Sequence, residues 1–181
     1  ATLEPVLHET LIRLRQRDGE VVSAGQFIPI AEKLGLVRLI DHRVLELAFE
    51  ELVHTNKPQL AINVSGYTIT DRVWLDMFIA LTKSNPGTAE RLVVEITETV
   101  AIEEISESQQ FVQTVRNQGS KVAIDDFGAG YTSFRNLKCL DVDMVKIDGS
   151  FVEGLVDKPD NQMFLRSFVG LARNFGLPTV A

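Results

Sequence analysis

The chain has 181 residues, of which 45% are hydrophobic and 24% charged, and its formal net charge is -7 at pH 7. That is enough chain for one domain with a substantial core, and the acidic balance excludes broad electrostatic binding to polymeric nucleic acid or to an anionic membrane surface. The single cysteine, Cys139, excludes an internal disulfide and a cysteine-based zinc site, and it fits a reducing, cytoplasmic setting.

No apolar run is long enough to span a membrane, and the start does not read as a signal peptide. Ala1 is not a natural first residue, so the chain is expected to be a piece of a longer protein, in which an anchor or sensor domain has room to lie elsewhere.

The predicted elements alternate along the chain. "PVLHE" (5–9) is a first, weaker strand. "SAGQFIPIAEKLG" opens with a Ser and contains a short helix, and Asp41 to His54 reads as a longer one. In the longer helix Leu45, Leu47, Ala48, Leu52 and Val53 form the predicted apolar stripe. "LAINVS" (60–65) is a strand, Asp71 to Lys83 a helix, and "RLVVEIT" (91–97) a second clear strand. Ile105 to Gly119 is a helix with Phe111, Val112 and Val115 inward and Gly119 as its stop. "KVAIDDF" (121–127) and "DMVKIDG" (143–149) are strands, Asp160 to Gly176 a helix, and "LPTVA" (177–181) a last, weaker strand. Several strands are too uniformly apolar for one wet face, so helices are expected to cover them. Repeated strand–helix units predict a parallel α/β sheet with right-handed crossovers.

The strand ends choose between the two parallel architectures. One strand ends on Asn63, one on Glu95, one on Asp125 and Asp126, and another carries Lys146 and Asp148; the early strand ends at Glu9. A doubly wound sheet gathers its ligand at one switch point. Polar groups from five strands suit a (β/α)8 TIM-like barrel, whose strand ends converge on one rim. Glu9, Glu95, Asp125 and Asp126 crowded around Lys146 would raise one another's pKa values. A divalent cation removes that conflict. Carboxylates with an amide oxygen from Asn63 make a hard donor set for Mg²⁺ or Mn²⁺, and the adjacent pair Asp125–Asp126 suits two metals about 3.5–4 Å apart. The glycines that follow let the next loop bend around the site.

The motifs match a family. "ETLIRL" at Glu9–Leu14 resembles the Glu-Ala-Leu signature of the EAL domain, and "FIPIAE" (27–32), "NVS" (63–65), "EITE" (95–98), "DDFGAGYTS" (125–133) and "KID" (146–148) resemble its other motifs in the same order. The resemblance implies a (β/α)8-like barrel that hydrolyses cyclic di-GMP to linear pGpG with two divalent cations, Mg²⁺ or Mn²⁺, in bacterial second-messenger signalling. It implies that Glu9, Asn63, Glu95 and Asp125 hold metal, with Asp125 bridging to the second ion and Asp126 on that ion. Lys146 would sit beside the attacking water and the scissile phosphate, Arg13 would contact a substrate phosphate, and Asp148 would lie near the substrate. Glu98 would hold the loop "FGAGYTS" (127–133), which contributes to dimerisation in the family. Implied partners are cyclic di-GMP, a second copy of the chain, and fused sensory or GGDEF-type domains. No nucleic-acid polymer and no membrane contact by this domain are expected.

Thr10 replaces the middle Ala of the signature but leaves Glu9 in place, and Ala129 and Thr132 vary the glycine loop mildly. "LEPV" (3–6) resembles the family's first strand, with Glu4 at a Gln position, yet it runs almost straight into "LHETL". After "PTVA" the family continues into a metal-binding Glu. Residues 1–181 therefore read as a single EAL-like domain, a barrel incomplete at both ends, lacking the end of the seventh strand, the eighth strand and the hairpin after the first.

Each residue also has a plainer structural use. Asp125 and Asp126 fit an Asx-type turn, Glu98 a helix start, Lys146 a solvated strand end, and Arg13 a surface ion pair. His8, His42 and His54 lack ligand spacing, Cys139 reads as buried packing, and "EEISES" (103–108) as a solvated helix start favoured by the helix dipole. Asn63 and Glu95 on matching strands weigh toward metal. Two other functions compete: a non-catalytic cyclic di-GMP receptor, and a barrel of enolase type abstracting a proton beside a carboxylate.

Overall fold

A computed structural model describes residues 6–55, 59–129 and 134–181, with the backbone alone for 134–136. Glu4, Pro5 and the Gly130–Ser133 part of the glycine loop lie outside the described residues.

Six strands form one parallel sheet: β1 (Leu7–Thr10), β4 (Gln59–Asn63), β5 (Leu92–Thr97), β6 (Lys121–Phe127), β7 (Met144–Ile147) and β8 (Thr179–Val180), hydrogen-bonded in that order. A separate two-stranded antiparallel hairpin joins β2 (Arg13–Arg15) to β3 (Val21–Ser23). The helices are α1 (Ala24–Lys33), α2 (Val37–His54), α3 (Gly66–Ile69), α4 (Arg72–Ser84), α5 (Glu98–Glu103), α6 (Ile105–Asn117), α7 (Phe134–Leu140), α8 (Gly149–Val152) and α9 (Pro159–Asn174). None is long and apolar enough to cross a membrane.

Alternation along the strands divides the two faces of the sheet. Leu60, Ile62, Val94, Ile96, Val122, Ile124, Val145 and Ile147 belong to the main core. There they pack with Trp74 and Phe78 of α4 and Phe111 of α6. Trp74 stacks on Phe78 and tilts against Phe111, each with ring centroids 5.5 Å apart. Burying a large side chain of this kind stabilises by roughly 1.5–3 kcal/mol. The other face carries small residues: Ala61, Val93 and Ala123 cluster there with Leu7 and Met144. Small side chains on one face and bulky ones on the other let the sheet curl into a half-barrel with the helices outside.

Local sequence explains the element ends. Asp71 is the cap of α4, not its first residue; its Oδ1 accepts the amides of Val73 at 2.9 Å and Trp74 at 3.4 Å. Gly119 stops α6 at a φ of +95°, where L-residues are rare. α2 starts at Val37, ahead of the predicted Asp41, and its buried stripe is Val37, Asp41, Leu45, Ala48, Phe49 and Leu52. Leu47 and Val53, assigned to that stripe, are exposed, because the true seam runs one residue round the helix through Phe49. Cys139 is exposed, which corrects the expectation of buried packing. It sits in the penultimate position of α7, between exposed Lys138 and buried Leu140.

Candidate metal centre

Parallel pairing aligns the site. Asn63 lies opposite Glu95 across β4 and β5, and Thr97 opposite Asp125 across β5 and β6. Glu9, Asn63, Glu95, Asp125 and Lys146 share the parity of Ala61, Val93, Ala123 and Met144, so they continue the concave face beyond its small apolar floor.

Lys146 is the hub. Its Nζ lies 2.7 Å from Glu95 Oε2, 3.1 Å from Asp125 Oδ2 and 3.2 Å from Glu9 Oε2. Asn63 Nδ2 donates to Glu9 Oε1 at 3.1 Å, which ties β1 to β4 through side chains. Thr10, in place of the signature's Ala, donates its hydroxyl to the Ala61 carbonyl at 2.7 Å and joins the same two strands through backbone. Glu95 is only 1% exposed. Burial pushes its carboxyl up to about 7, against the pull of Lys146. Burial alone would lower the Lys146 ammonium, but the contacts with Glu95 and Asp125 outweigh it and raise its pKa, so it stays charged.

A cation fits here. Glu9, Glu95 and Asp125 each bring one oxygen into a group whose members all lie within 4.8 Å of one another. Glu95 Oε1 is buried with no hydrogen-bond partner, which is costly unless something positive completes it. Asn63, whose Nδ2 bonds Glu9, carries a neutral amide oxygen on the neighbouring strand, and hard oxygen donors of this kind suit Mg²⁺ or Mn²⁺.

Asp126 is placed by a bulge. Ile124 lies opposite Val145 and Phe127 opposite Ile147, so three steps on β6 match two on β7. Asp126 takes up the extra residue at a φ of +53°. The bulge turns Phe127 to the helix side, where it packs edge-on against Phe168 with ring centroids 4.5 Å apart. It leaves Asp126 exposed, outside the three-carboxylate group. Its amide donates to Asp125 Oδ1 at 2.9 Å. Burial, then the charges of Asp125 and Asp148, raise the Asp126 carboxyl. Asp148 caps α8, with Oδ1 accepting the Ser150 amide at 2.8 Å.

Glu98 starts α5, and its Oε2 accepts the Gly128 amide at 2.6 Å, the first glycine of the loop after β6. Arg13 stands on the exposed hairpin and donates to the carbonyls of Leu11 at 3.3 Å and Ile12 at 3.0 Å. His42 is half-buried and meets Asp71 Oδ2 at 3.2 Å. The structure also places Asp41, first residue of the predicted helix Asp41–His54, beneath the turn that leaves Asn63.

The profile of the EAL domain family matches residues 1–181. Among curated relatives, the cyclic di-GMP phosphodiesterase PA2567 of Pseudomonas aeruginosa is 33% identical over 177 residues, covering 96% of this chain and 30% of that protein. The cyclic di-GMP phosphodiesterase PdeF of Escherichia coli is 31% identical over 172 residues, covering 93% of this chain and 23% of that protein. The chain thus spans under a third of either relative. Among solved structures, the PaMucR phosphodiesterase in complex with c-di-GMP superposes with a TM-score of 0.88 at 27% identity, covering 96% of this chain and 72% of that one. The FimX EAL domain of Pseudomonas aeruginosa bound to c-di-GMP gives a TM-score of 0.88 at 27% identity, covering 96% and 71%.

Proposed function

The chain belongs to the EAL domain family, and from that premise we propose that it is the phosphodiesterase domain of a longer protein, hydrolysing cyclic di-GMP to linear pGpG with divalent metal. The observation that carries this reading is the group of Glu9, Glu95 and Asp125 oxygens within 4.8 Å, with the orphaned Glu95 Oε1 among its carboxylates. In this reading Glu9, Asn63, Glu95 and Asp125 hold one cation, and Asp125 and Asp126 the other. Bound there, Mg²⁺ or Mn²⁺ would supply a nucleophile from water at neutral pH and neutralise charge on the phosphate oxygens.

The chain's own residues do the rest. Lys146, charged and gripped by three carboxylates, presents its ammonium to the scissile phosphate. Asn63 fixes the rotamer of Glu9 through their hydrogen bond. Arg13 supplies a planar donor to the second phosphate, and Asp148 lines the substrate side of the rim. Glu98 holds the start of the loop after β6 through the Gly128 amide. Three carboxylates against one lysine leave the pocket negative, so it repels a dianionic substrate until metal is bound. We further propose that this loop contributes to a homodimer, and that the parent carries sensory or GGDEF-type domains.

The test is hydrolysis by the full-length parent with Mg²⁺ or Mn²⁺, read as pGpG by chromatography, beside Glu9→Ala. Turnover by the parent and none by the variant supports the enzyme. Calorimetric binding of cyclic di-GMP without turnover sinks it and leaves a receptor.

A further inference from the structure

Asp41 is a buried acid in the second turn of α2, 6% exposed. It makes no ion pair with a lysine or arginine among the described residues. One of its oxygens, Oδ2, accepts three hydrogen bonds: the Ser65 amide at 3.0 Å, the Ser65 hydroxyl at 2.6 Å and the Thr68 hydroxyl at 2.7 Å. Two of the donors belong to Ser65, the cap residue between β4 and α3, and the third to Thr68 in the single turn of α3. None belongs to α2, so the carboxylate does nothing for its own helix. Its backbone carbonyl in turn accepts the Trp74 indole at 3.2 Å, which anchors this point of α2 to the core.

The turn it grips begins at Asn63. Val64 donates its amide to the Glu95 carbonyl at 2.9 Å, and the next amide, Ser65, goes to Asp41. The chain just after Asn63 is thus pinned from both sides, by β5 on one and by α2 on the other. Burial pushes the Asp41 carboxyl up, and the bonds from Ser65 and Thr68 only partly restore it. An apolar side chain here would leave the Ser65 amide and the Ser65 and Thr68 hydroxyls without this acceptor. Nor could it fix the path of the backbone two residues beyond the site amide.

We propose that Asp41 is a positioning residue for Asn63: by clamping Ser65 and Thr68 to α2 it sets the angle at which Asn63 meets Glu9 and the metal group. This rests on the metal reading of the site above. Partners that orient ligands from outside typically change metal affinity by 10–100-fold when removed.

The test uses the full-length protein, with Mn²⁺ affinity measured by electron paramagnetic resonance and the Asn63 side-chain amide followed by NMR after asparagine-selective labelling. Asp41→Leu removes the acceptor. It should weaken Mn²⁺ binding by about tenfold and shift or erase the Asn63 amide signal. Asp41→Asn keeps one acceptor oxygen and should recover most of both. Thr68→Val, nearly isosteric, removes one donor and gives a smaller loss should Asp41→Leu fail to fold. Asp71→Ala destabilises the neighbouring helix α4 and serves as the control, lowering the melting temperature while leaving Mn²⁺ affinity and the Asn63 signal in place. Overturning results are unchanged affinity and signal in folded Asp41→Leu, unchanged affinity and signal in Thr68→Val should Asp41→Leu not fold, or equal losses in Asp71→Ala. If the wild type binds no Mn²⁺, the metal reading falls, and the Asn63 signal alone decides for or against Asp41.

Discussion

Lys146 Nζ donates to Glu95 Oε2 at 2.7 Å, and beside that contact the second oxygen of Glu95 is buried with no partner. One carboxylate is therefore half satisfied by the chain's own cation. A metal on Glu9, Glu95 and Asp125 would share these oxygens with the lysine. Lys146→Met keeps most of the stem and removes the charge. The three carboxylates then face one another without a cation, at a cost on the order of 3–5 kcal/mol. Added Mn²⁺ should raise the melting temperature of Lys146→Met more than that of the wild type, because the gain from ligation now includes relief of that repulsion. Hydrolysis should fall by about 100-fold or more. Equal Mn²⁺-induced shifts in thermal scans would separate the lysine from the metal group.

Asp126 can be tested for strain apart from charge. Its φ of +53° lies in the left-handed region, where a Cβ costs roughly 1–2 kcal/mol and Asp is among the residues that bear it best. Asp126→Gly should keep stability within about 1 kcal/mol of the wild type, whereas Asp126→Ala loses the polar side chain and keeps the strain. Urea midpoints should rank Gly above Ala, and both variants should lose hydrolysis. The reverse ranking would show that left-handed backbone strain at this position does not set the stability.

Most of this site was legible in the sequence because a parallel strand alternates strictly: once Ala61, Val93 and Ala123 face inward, Asn63, Glu95 and Asp125 follow two residues on. The same rule failed one step later. Alternation sends Phe127 inward, and the β6 bulge turns it to the helix side, a shift visible only in the pairing of Phe127 with Ile147. The β2–β3 hairpin was missed because its strands are short and exposed, although Asp18-Gly19 signals a tight turn, and Gly19 does take a φ of +94°. Asp41 was hidden for a different reason. An acid near the predicted start of a helix already has an explanation in the helix dipole, and nothing local says that its partners are Ser65 and Thr68.

Gly128 joins packing to the site. Its φ is +101°, and a Cβ there would meet Phe151 Cε2 at 3.0 Å and Phe164 Cζ at 3.3 Å. These two rings stack with centroids 4.1 Å apart, so neither has easy room to give. Gly128→Ala should therefore destabilise by about 1–3 kcal/mol and draw the amide away from Glu98 Oε2. Activity should fall more than the remaining folded fraction accounts for. A variant with full specific activity per folded molecule would show that the Glu98–Gly128 contact does not reach the chemistry.

The last prediction concerns pH. Burial alone would raise the Asp71 carboxyl, but the bond to His42 and the amides of Trp74 and Val73 outweigh it and hold the group below its ordinary value. A carboxyl whose pKa is lower folded than unfolded contributes stability that is complete above the unfolded value, near 3.9, and is lost as the pH falls through the folded value beneath it. Asp71→Asn keeps an oxygen for the cap but no titrating group. Its deficit against the wild type should narrow as the pH falls below about 4. A cap of this kind is worth about 0.5–2 kcal/mol, a few degrees in melting temperature for a domain of this size. Thermal melts of both proteins across that range give the answer. A deficit that instead widens in acid would reverse the sign and mean that the native state prefers Asp71 protonated.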